Sequence, residues 1–265
     1  MNSLEAIVQQ CKRLRLPTLA EVVPEAVALA QQQDWSLENF LLYLLEQEDA
    51  GRQQRRIERL LREAHLPSGK TLARFDQNRL PLRLRRQLPE LIQGDFIDQA
   101  QNVLIFGNPG TGKTHLAAAL AYEWLYRNYT VWFTPTYKLV DGLLRAKRDY
   151  DLERELKRLD RFQVVILDDI GYVQQSREEM EVLFTFLAER YERRTVVITS
   201  NLVFSQWDQI FKDPLTTAAA IDRVVHHSRI IEFGSDMTSV RAEQAAQRQL
   251  QLDQDYPDPT DDNIT

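Results

Sequence analysis

Asn102-Val-Leu-Ile-Phe-Gly-Asn-Pro-Gly-Thr-Gly-Lys-Thr114 is the stretch whose reading decides the fold. Asn102 to Phe106 is a short apolar run of the length of a buried strand, Gly107 to Thr114 fits G-x-x-x-x-G-K-[ST], and a helix starts near His115. Strand, glycine-rich turn and helix, in that order, are the flanks the motif requires. The glycines let the backbone turn so that successive N–H groups point inward, where the positive end of the following helix reinforces them. Such a loop cradles the phosphates of ATP. Gly107, Asn108, Pro109, Gly110, Thr111 and Gly112 supply the cradle, Lys113 neutralises the β and γ phosphates, and Thr114 ligates Mg²⁺.

Further runs of strand character follow at Thr130 to Thr134, Gln163 to Leu167, Thr195 to Thr199 and Arg229 to Phe233, each separated from the next by a helical pattern. Strands alternating with helices predict an α/β fold, a five-stranded and mostly parallel sheet covered on both faces. A sheet of that kind delivers chemistry at the C-terminal edge of its strands. Val164-Val-Ile-Leu-Asp-Asp169 ends there in two carboxylates, so Asp168 is expected to hold Mg²⁺ through its water shell and Asp169 to orient or deprotonate the attacking water. Val196-Val-Ile-Thr-Ser-Asn201 brings Asn201 to the same edge, where a neutral amide positions water or senses the γ-phosphate; a plain polar turn is the competing reading. Arg223, in Ala220-Ile-Asp-Arg-Val-Val225, lies on a helical pattern whose apolar residues face inward, leaving a planar cation for the charge that builds up in phosphoryl transfer or for an internal ion pair. The adjacent His226 and His227 diverge by about 100° on a helix and make a poor chelating pair there. His115 reads as a helix-start residue, and Trp207 with Phe211 as core or interface rather than a base-stacking platform.

Residues 1–66 read as a helical block. Leu37, Phe40, Leu41, Leu44 and Leu45 fall at helical spacing behind an N-cap at Ser36, which predicts one buried face. Further along, Ile57, Leu60, Leu61 and Ala64 form an apolar stripe, with Arg52, Arg55, Arg56 and Arg59 on nearly the opposite face. Pro67, Ser68 and Gly69 mark a break, and residues 67–90 read as a basic linker or collar. Although the whole chain has a formal charge of −6, residues 51–86 hold eleven basic against three acidic side chains. A basic run is either a solvated face or a surface that tracks phosphates; Arg52, Arg55, Arg56, Arg59, Lys70 and Arg74 are the candidates for contacting DNA. From Ala242 onward six acids face one base, and residues 246–265 have too few apolar groups to fold alone.

With 43% hydrophobic and 27% charged residues, the chain has the composition of a globular protein. Its single cysteine, Cys11, excludes an internal disulfide, no run approaches the roughly 20 apolar residues that span a bilayer, and a cytoplasmic protein with no membrane partner is expected.

In their order, these motifs resemble the IstB helper ATPases of insertion sequences, relatives of the helicase loader DnaC. The resemblance covers nearly the whole chain. It is carried by Phe106-Gly-Asn-Pro-Gly-Thr-Gly-Lys-Thr-His-Leu-Ala117, Leu167-Asp-Asp-Ile-Gly-Tyr172, Arg190-Tyr-Glu-Arg-Arg194, Ile198-Thr-Ser-Asn201, Trp207, Phe211, Asp213, Asp222-Arg223 and His226-His-Ser228. Lys70-Thr-Leu72 and Phe75-Asp76 match the family's linker. The resemblance implies a P-loop AAA+ domain at residues 91–245, preceded by a small all-helical domain, whose members form ATP-dependent homo-oligomers on duplex DNA, bend it and stimulate the transposase encoded by the same element. By the same resemblance Asn201 is sensor 1, Arg223 is the arginine finger reaching a neighbouring subunit's nucleotide, and the helical block contacts DNA and subunits. The family's second sensor reads Gly-x-Ser-Tyr-Arg; here Gly234 is followed at a longer spacing by Ser239-Val-Arg241, so Arg241 matches an ATP-contacting arginine on an altered pattern. Two other functions fit the same ATPase: a helicase loader acting in replication, and a scaffold that binds ATP and scarcely hydrolyses it.

Overall fold

Five short runs, the first four free of charge but for the closing Asp168, form the strands β1 (Asn102–Phe106), β2 (Val131–Pro135), β3 (Val164–Asp168), β4 (Thr195–Ser200) and β5 (Ser228–Glu232). In the computed structural model, which describes residues 3–172, 176–202, 224–234 and 239, all strand pairs are parallel and the sheet order is β2-β3-β4-β1-β5. Every residue of β1 and β4 is buried, as expected for inner strands covered on both faces. The strand bounds agree with the sequence expectation to within a residue. Register carries the functional ends together: Leu167 pairs with Ile198, and Phe106 with Ser200.

On one face, Leu104, Phe106, Val165, Leu167, Val196 and Ile198 pack against α7 (Thr136–Arg148), α8 (Leu152–Asp160) and α9 (Arg177–Arg190) in the main apolar core. Ser176 and Glu179 close a capping box at the start of α9, which satisfies two otherwise unpaired amides. The other face is covered by α6 (Lys113–Tyr126), whose Leu116, Ala117, Ala118, Ala119, Leu120 and Ala121 are all buried. Small residues nearly all round the helix let it lie between the sheet and α4 (Leu82–Gln93). Trp124 Nε1 donates to the Leu91 carbonyl at 2.8 Å and its ring meets Phe96 of α5 (Asp95–Asp98) edge-on. The second half of the expected linker is therefore a helix, running through Pro89 and burying Leu84, Leu88 and Leu91. Packing on α6 outweighs the hydrogen bond that Pro89 cannot make.

The buried guanidinium of Arg190 pins the lower end of the sheet. It donates to the carbonyls of Leu159, Phe162, Gln163 and Thr195 at 3.0–3.2 Å, tying the end of α8 to the starts of β3 and β4. Desolvation pushes its pKa down to about 9, which still leaves it charged at neutral pH.

The chain divides into two compact units, residues 1–62 and 63–265. The first consists of α1 (Ser3–Arg13), α2 (Pro17–Gln32) and most of α3 (Leu37–Ala64). Pro17 opens α2, where its missing N–H is no loss, and Ser36 Oγ accepts from the Asn39 amide at the start of α3. Val23, Ala26 and Leu44 form the centre, with Phe40 and Tyr43 packed around it. The predicted apolar face of α3 is only half buried: Leu44 is 8% exposed, whereas Leu37, Leu41 and Leu45 are 84%, 58% and 57% exposed. Helical spacing identifies an apolar face but not what covers it, and the short α1–α2 pair covers only part of this one.

Glu48 is the polar centre of this unit. Its carboxylate accepts from the Leu19 amide at 3.0 Å, from Arg52 Nε at 3.3 Å and from Arg55 at 3.1 Å. Desolvation raises its pKa, but the Leu19 amide, the hydrogen bond from Arg52 and the charges of Arg55 and Arg52 outweigh it, so the net shift is downward. The folded value lies below the unfolded one, so the stabilisation is complete above the ordinary glutamate value of 4.5 and is lost as the pH falls through the folded value. A pH titration of far-ultraviolet circular dichroism on wild type and Glu48→Gln is expected to show a shallower acid loss of helix for the variant, which also starts from lower stability at pH 7.

Candidate functional site

The strand-to-helix turn at the C-terminal end of β1 is built on three glycines with positive φ: Gly107 at 152°, Gly110 at 81° and Gly112 at 108°. Side chains would be strained at all three, and at two of them they would also collide. A Cβ at Gly107 would lie 2.7 Å from Phe233 Cβ, and one at Gly110 would lie 2.1 Å from Ser239 Oγ. Phe233 and Ser239 thus lie against the loop. Phe233 is held there by donating its amide to the Phe106 carbonyl at 2.9 Å.

Lys113 begins α6 and is 8% exposed. Its ammonium donates to the Gly107 and Asn108 carbonyls at 2.7 and 2.9 Å, so it folds back over the loop it belongs to. Thr111 Oγ1 donates to the Asn108 carbonyl at 2.9 Å, while the next hydroxyl, on Thr114, is half-buried at the start of α6. The collar braces this helix start: His115 Nε2 lies 3.0 Å from the Thr71 carbonyl, and the Phe75 ring meets His115 edge-on at 5.1 Å. His115 therefore joins residues 71–75 to the phosphate loop, a contact that its place in the motif did not disclose.

Asp168 and Asp169 stand at the end of β3 in different backbone states. Asp168 ends the strand, with its carbonyl accepting from Thr136 Oγ1 at 3.1 Å. Asp169 has φ 65°, a left-handed conformation that aspartate tolerates better than most residues. Thr199, unassigned by the sequence reading, organises both. Its hydroxyl donates to Asp168 Oδ1 at 2.7 Å and accepts from the Asp169 amide at 2.8 Å. The signal for Thr199 was present as the first hydroxyl after the apolar run Val196 to Ile198, one residue past the position that pairs with Leu167.

Asn201 follows β4 and packs against the turn after Asp169, where a Cβ on Gly171 would lie 2.1 Å from Asn201 Oδ1. That oxygen is buried and has no hydrogen-bond partner among the described residues. Ser200 accepts the Gly107 amide on its carbonyl at 3.3 Å, which joins the end of β4 to the start of the phosphate loop. The structure therefore places the loop, the two aspartates and Asn201 along one edge of the sheet. Arg223 and Arg241 lie outside the described residues, as do Trp207, Phe211 and Asp213.

Strand order, loop and acids together define an AAA+ fold of the kind found in replication ATPases. The DnaC helicase loader superposes with a TM-score of 0.51 over 66% of this chain and 99% of that one, at 17% identity. The sequence matches the family described as IstB-like ATP binding protein over residues 9–247. This chain belongs to that family. Among its IstB-like relatives, an insertion sequence ATP-binding protein of Sinorhizobium fredii is 41% identical over 236 residues, covering 89% of this chain and 79% of the relative. The IS21 insertion sequence ATP-binding protein of Pseudomonas aeruginosa is 35% identical over 246 residues, covering 93% and 92%.

A second candidate surface lies in the helical unit of this IstB-like chain. Lys12, Arg15, Pro17, Arg52 and Arg55 line an open cleft of about 530 Å³. Lys12 and Arg15, from α1 and the turn after it, were missed because they lie far in sequence from the basic run. Arg52 and Arg55, by contrast, share their charge with Glu48, and Arg55 also donates to Thr18 Oγ1 at 2.7 Å. Arg56 and Arg59 lie exposed on α3; Arg74 is exposed and Lys70 half-buried in the collar. Among the described residues, no helix is long and apolar enough to cross a membrane.

Proposed function

We propose that this protein is an ATP-dependent DNA-binding ATPase that assembles on duplex DNA and assists the transposase of its insertion sequence. The observation that carries the reading is the shared edge on which Lys113, Asp168, Asp169, Thr199 and Asn201 converge. The loop fits a triphosphate: its three glycines at positive φ make the tight turn of a phosphate cradle, and the Lys113 ammonium, which now donates to the Gly107 and Asn108 carbonyls, can turn to phosphate oxygens. Thr114 and Asp168 fit a hard divalent cation, being a hydroxyl and an oriented carboxylate. Mg²⁺ bound there supplies charge neutralisation at the β and γ phosphates. Asp169 holds and orients the attacking water, Asn201 positions that water from the neighbouring strand, and Thr199 holds the Asp168 carboxylate and the Asp169 backbone. Arg223 serves as the finger offered to a neighbouring subunit, and Arg241 contacts ATP.

Residues 1–66 and the collar at 67–90 contact DNA and neighbouring subunits, residues 91–245 form the motor, and 246–265 are an acidic tail. The basic cleft supports a duplex backbone as ligand, because four cations around one recess match phosphates without selecting bases. The exposed Leu37, Leu41 and Leu45 ridge supports self-association. The relatives' names support transposition over replication as the setting, with the cytoplasm as its place.

Asp169→Asn keeps the side-chain volume and removes the base. It is expected to bind ATP as the wild type does, to assemble on duplex DNA, and to hydrolyse on the order of 100-fold more slowly. Gel filtration and phosphate release with ATP and duplex DNA check this; a variant that fails to assemble with ATP overturns the water-positioning role. Thr199→Val removes the hydroxyl that orients both acids and is expected to lower hydrolysis about 10-fold or more, with a smaller effect on nucleotide affinity. Wild-type turnover in this variant would show that the Thr199 bridge is dispensable.

A further inference from the structure

Glu192, His226 and His227 lie apart from the nucleotide site, and nothing in the phosphate chemistry uses them. Glu192 occupies the turn between α9 and β4 with φ 54°, and His226 and His227 form the turn that leads into β5. A ligand-competent atom from each of the three lies within 4.8 Å of the other two. His227 Nε2 is 3.1 Å from Glu192 Oε1, and the two imidazole rings meet edge-on with centroids 4.3 Å apart. The expectation of diverging histidines assumed a helix; both occupy a turn, which brings their rings to one side.

Both turns are anchored. The Arg193 and Arg194 amides donate to the Arg190 carbonyl at 3.0 Å, so the Glu192 turn rests on the residue whose guanidinium pins the sheet. The His227 carbonyl accepts from the Asn102 amide at 2.7 Å, which fixes the histidine turn to the start of β1. Arg193, the next cation along, is already engaged by Asp160 at 2.9 Å and Glu189 at 3.4 Å, so it does not claim Glu192. A simple Glu192–His227 ion pair accounts for one imidazole. It does not account for the second, which shares the same space and has Tyr191 Oη at 3.4 Å from its Nδ1, in the position of a supporting partner to a metal-bound ring.

Two imidazoles and a carboxylate are donors for zinc-class ions, whose bonds of about 2.0–2.2 Å place tetrahedral ligands roughly 3.4 Å apart. Exposed side chains on fixed turns reach that spacing by rotamer adjustment. We propose that Glu192, His226 and His227 bind a divalent transition-metal ion of the zinc class, clipping the loop before β4 to the turn before β5 and leaving the remaining coordination position to water.

The test is isothermal titration calorimetry of ZnCl₂ into the metal-free full chain without nucleotide, with Co²⁺ absorption as a second readout of imidazole ligation. One saturable site is expected, weakened about tenfold or more by His226→Ala and by Glu192→Gln, abolished in His226→Ala/His227→Ala, and unaltered in Lys113→Ala. All three positions are exposed, and circular dichroism checks that the variants fold. Absence of saturable binding overturns the site, as does binding that survives in the double histidine variant, which would assign the metal to Cys11, His65 or His115.

Discussion

Lys113→Ala is expected to weaken ATP binding by at least 100-fold while leaving the fold intact. Lys113 is the only cation in the loop Gly107 to Thr114, and it is 8% exposed, so its interaction with phosphate would be made largely out of water. Truncating one partner of a desolvated charge pair costs about 2–5 kcal/mol, and about 1.4 kcal/mol is one decade of affinity. The Gly107 and Asn108 carbonyls that Lys113 now satisfies would lose a donor, but Asn108 is exposed and Gly107 only half-buried, so water can replace it. Titration with a fluorescent ATP analogue measures the effect, and an unchanged thermal midpoint separates it from unfolding. Retention of affinity to within about threefold would remove Lys113 from the phosphate site. DNA assembly should fall in parallel if ATP drives it.

The second large effect concerns stability. Arg190→Ala removes a 3% exposed guanidinium that serves four carbonyls belonging to α8, the start of β3 and the start of β4. Each buried acceptor left unpaired costs about 1–3 kcal/mol, and the cavity adds to it, so a loss of roughly 4 kcal/mol or more is expected. In a unit of this size that is a fall in thermal midpoint of about 10 °C. Arg190→Lys should recover little, because one ammonium cannot reach four acceptors set around a planar fork. A midpoint within about 3 °C of wild type, read by calorimetry, would show that the carbonyls find other donors.

The phosphate loop and the strands were legible because each depends on local chemistry. A glycine at a positive φ, a lysine after it and an apolar run before it are all written in consecutive residues. Thr199 was harder: its role exists only because β3 and β4 pair in one register, which sets its hydroxyl between Asp168 and the Asp169 amide. The leucines of α3 failed in the other direction, since Leu37, Leu41 and Leu45 have the spacing of a core but too few neighbours to bury them. The count over the basic run leaves out Glu48, which sits four residues before Arg52 and seven before Arg55 and pairs with both. Lys12 and Arg15 join the same cleft only through the folding of α1 and α2.

The left-handed backbone at Asp169 also determines which variants can be interpreted. Asparagine accepts φ near 65° at least as readily as aspartate, so Asp169→Asn reports on the lost carboxylate without added backbone strain. Alanine or glutamate there would carry a backbone penalty of about 1–2 kcal/mol, applied one residue from Asp168, the proposed cation ligand. A dead Asp169→Ala enzyme would thus confound a displaced strand end with a missing base. Glycine relaxes the backbone and removes the side chain, so the pair Asp169→Asn and Asp169→Gly separates chemistry from conformation at a single position.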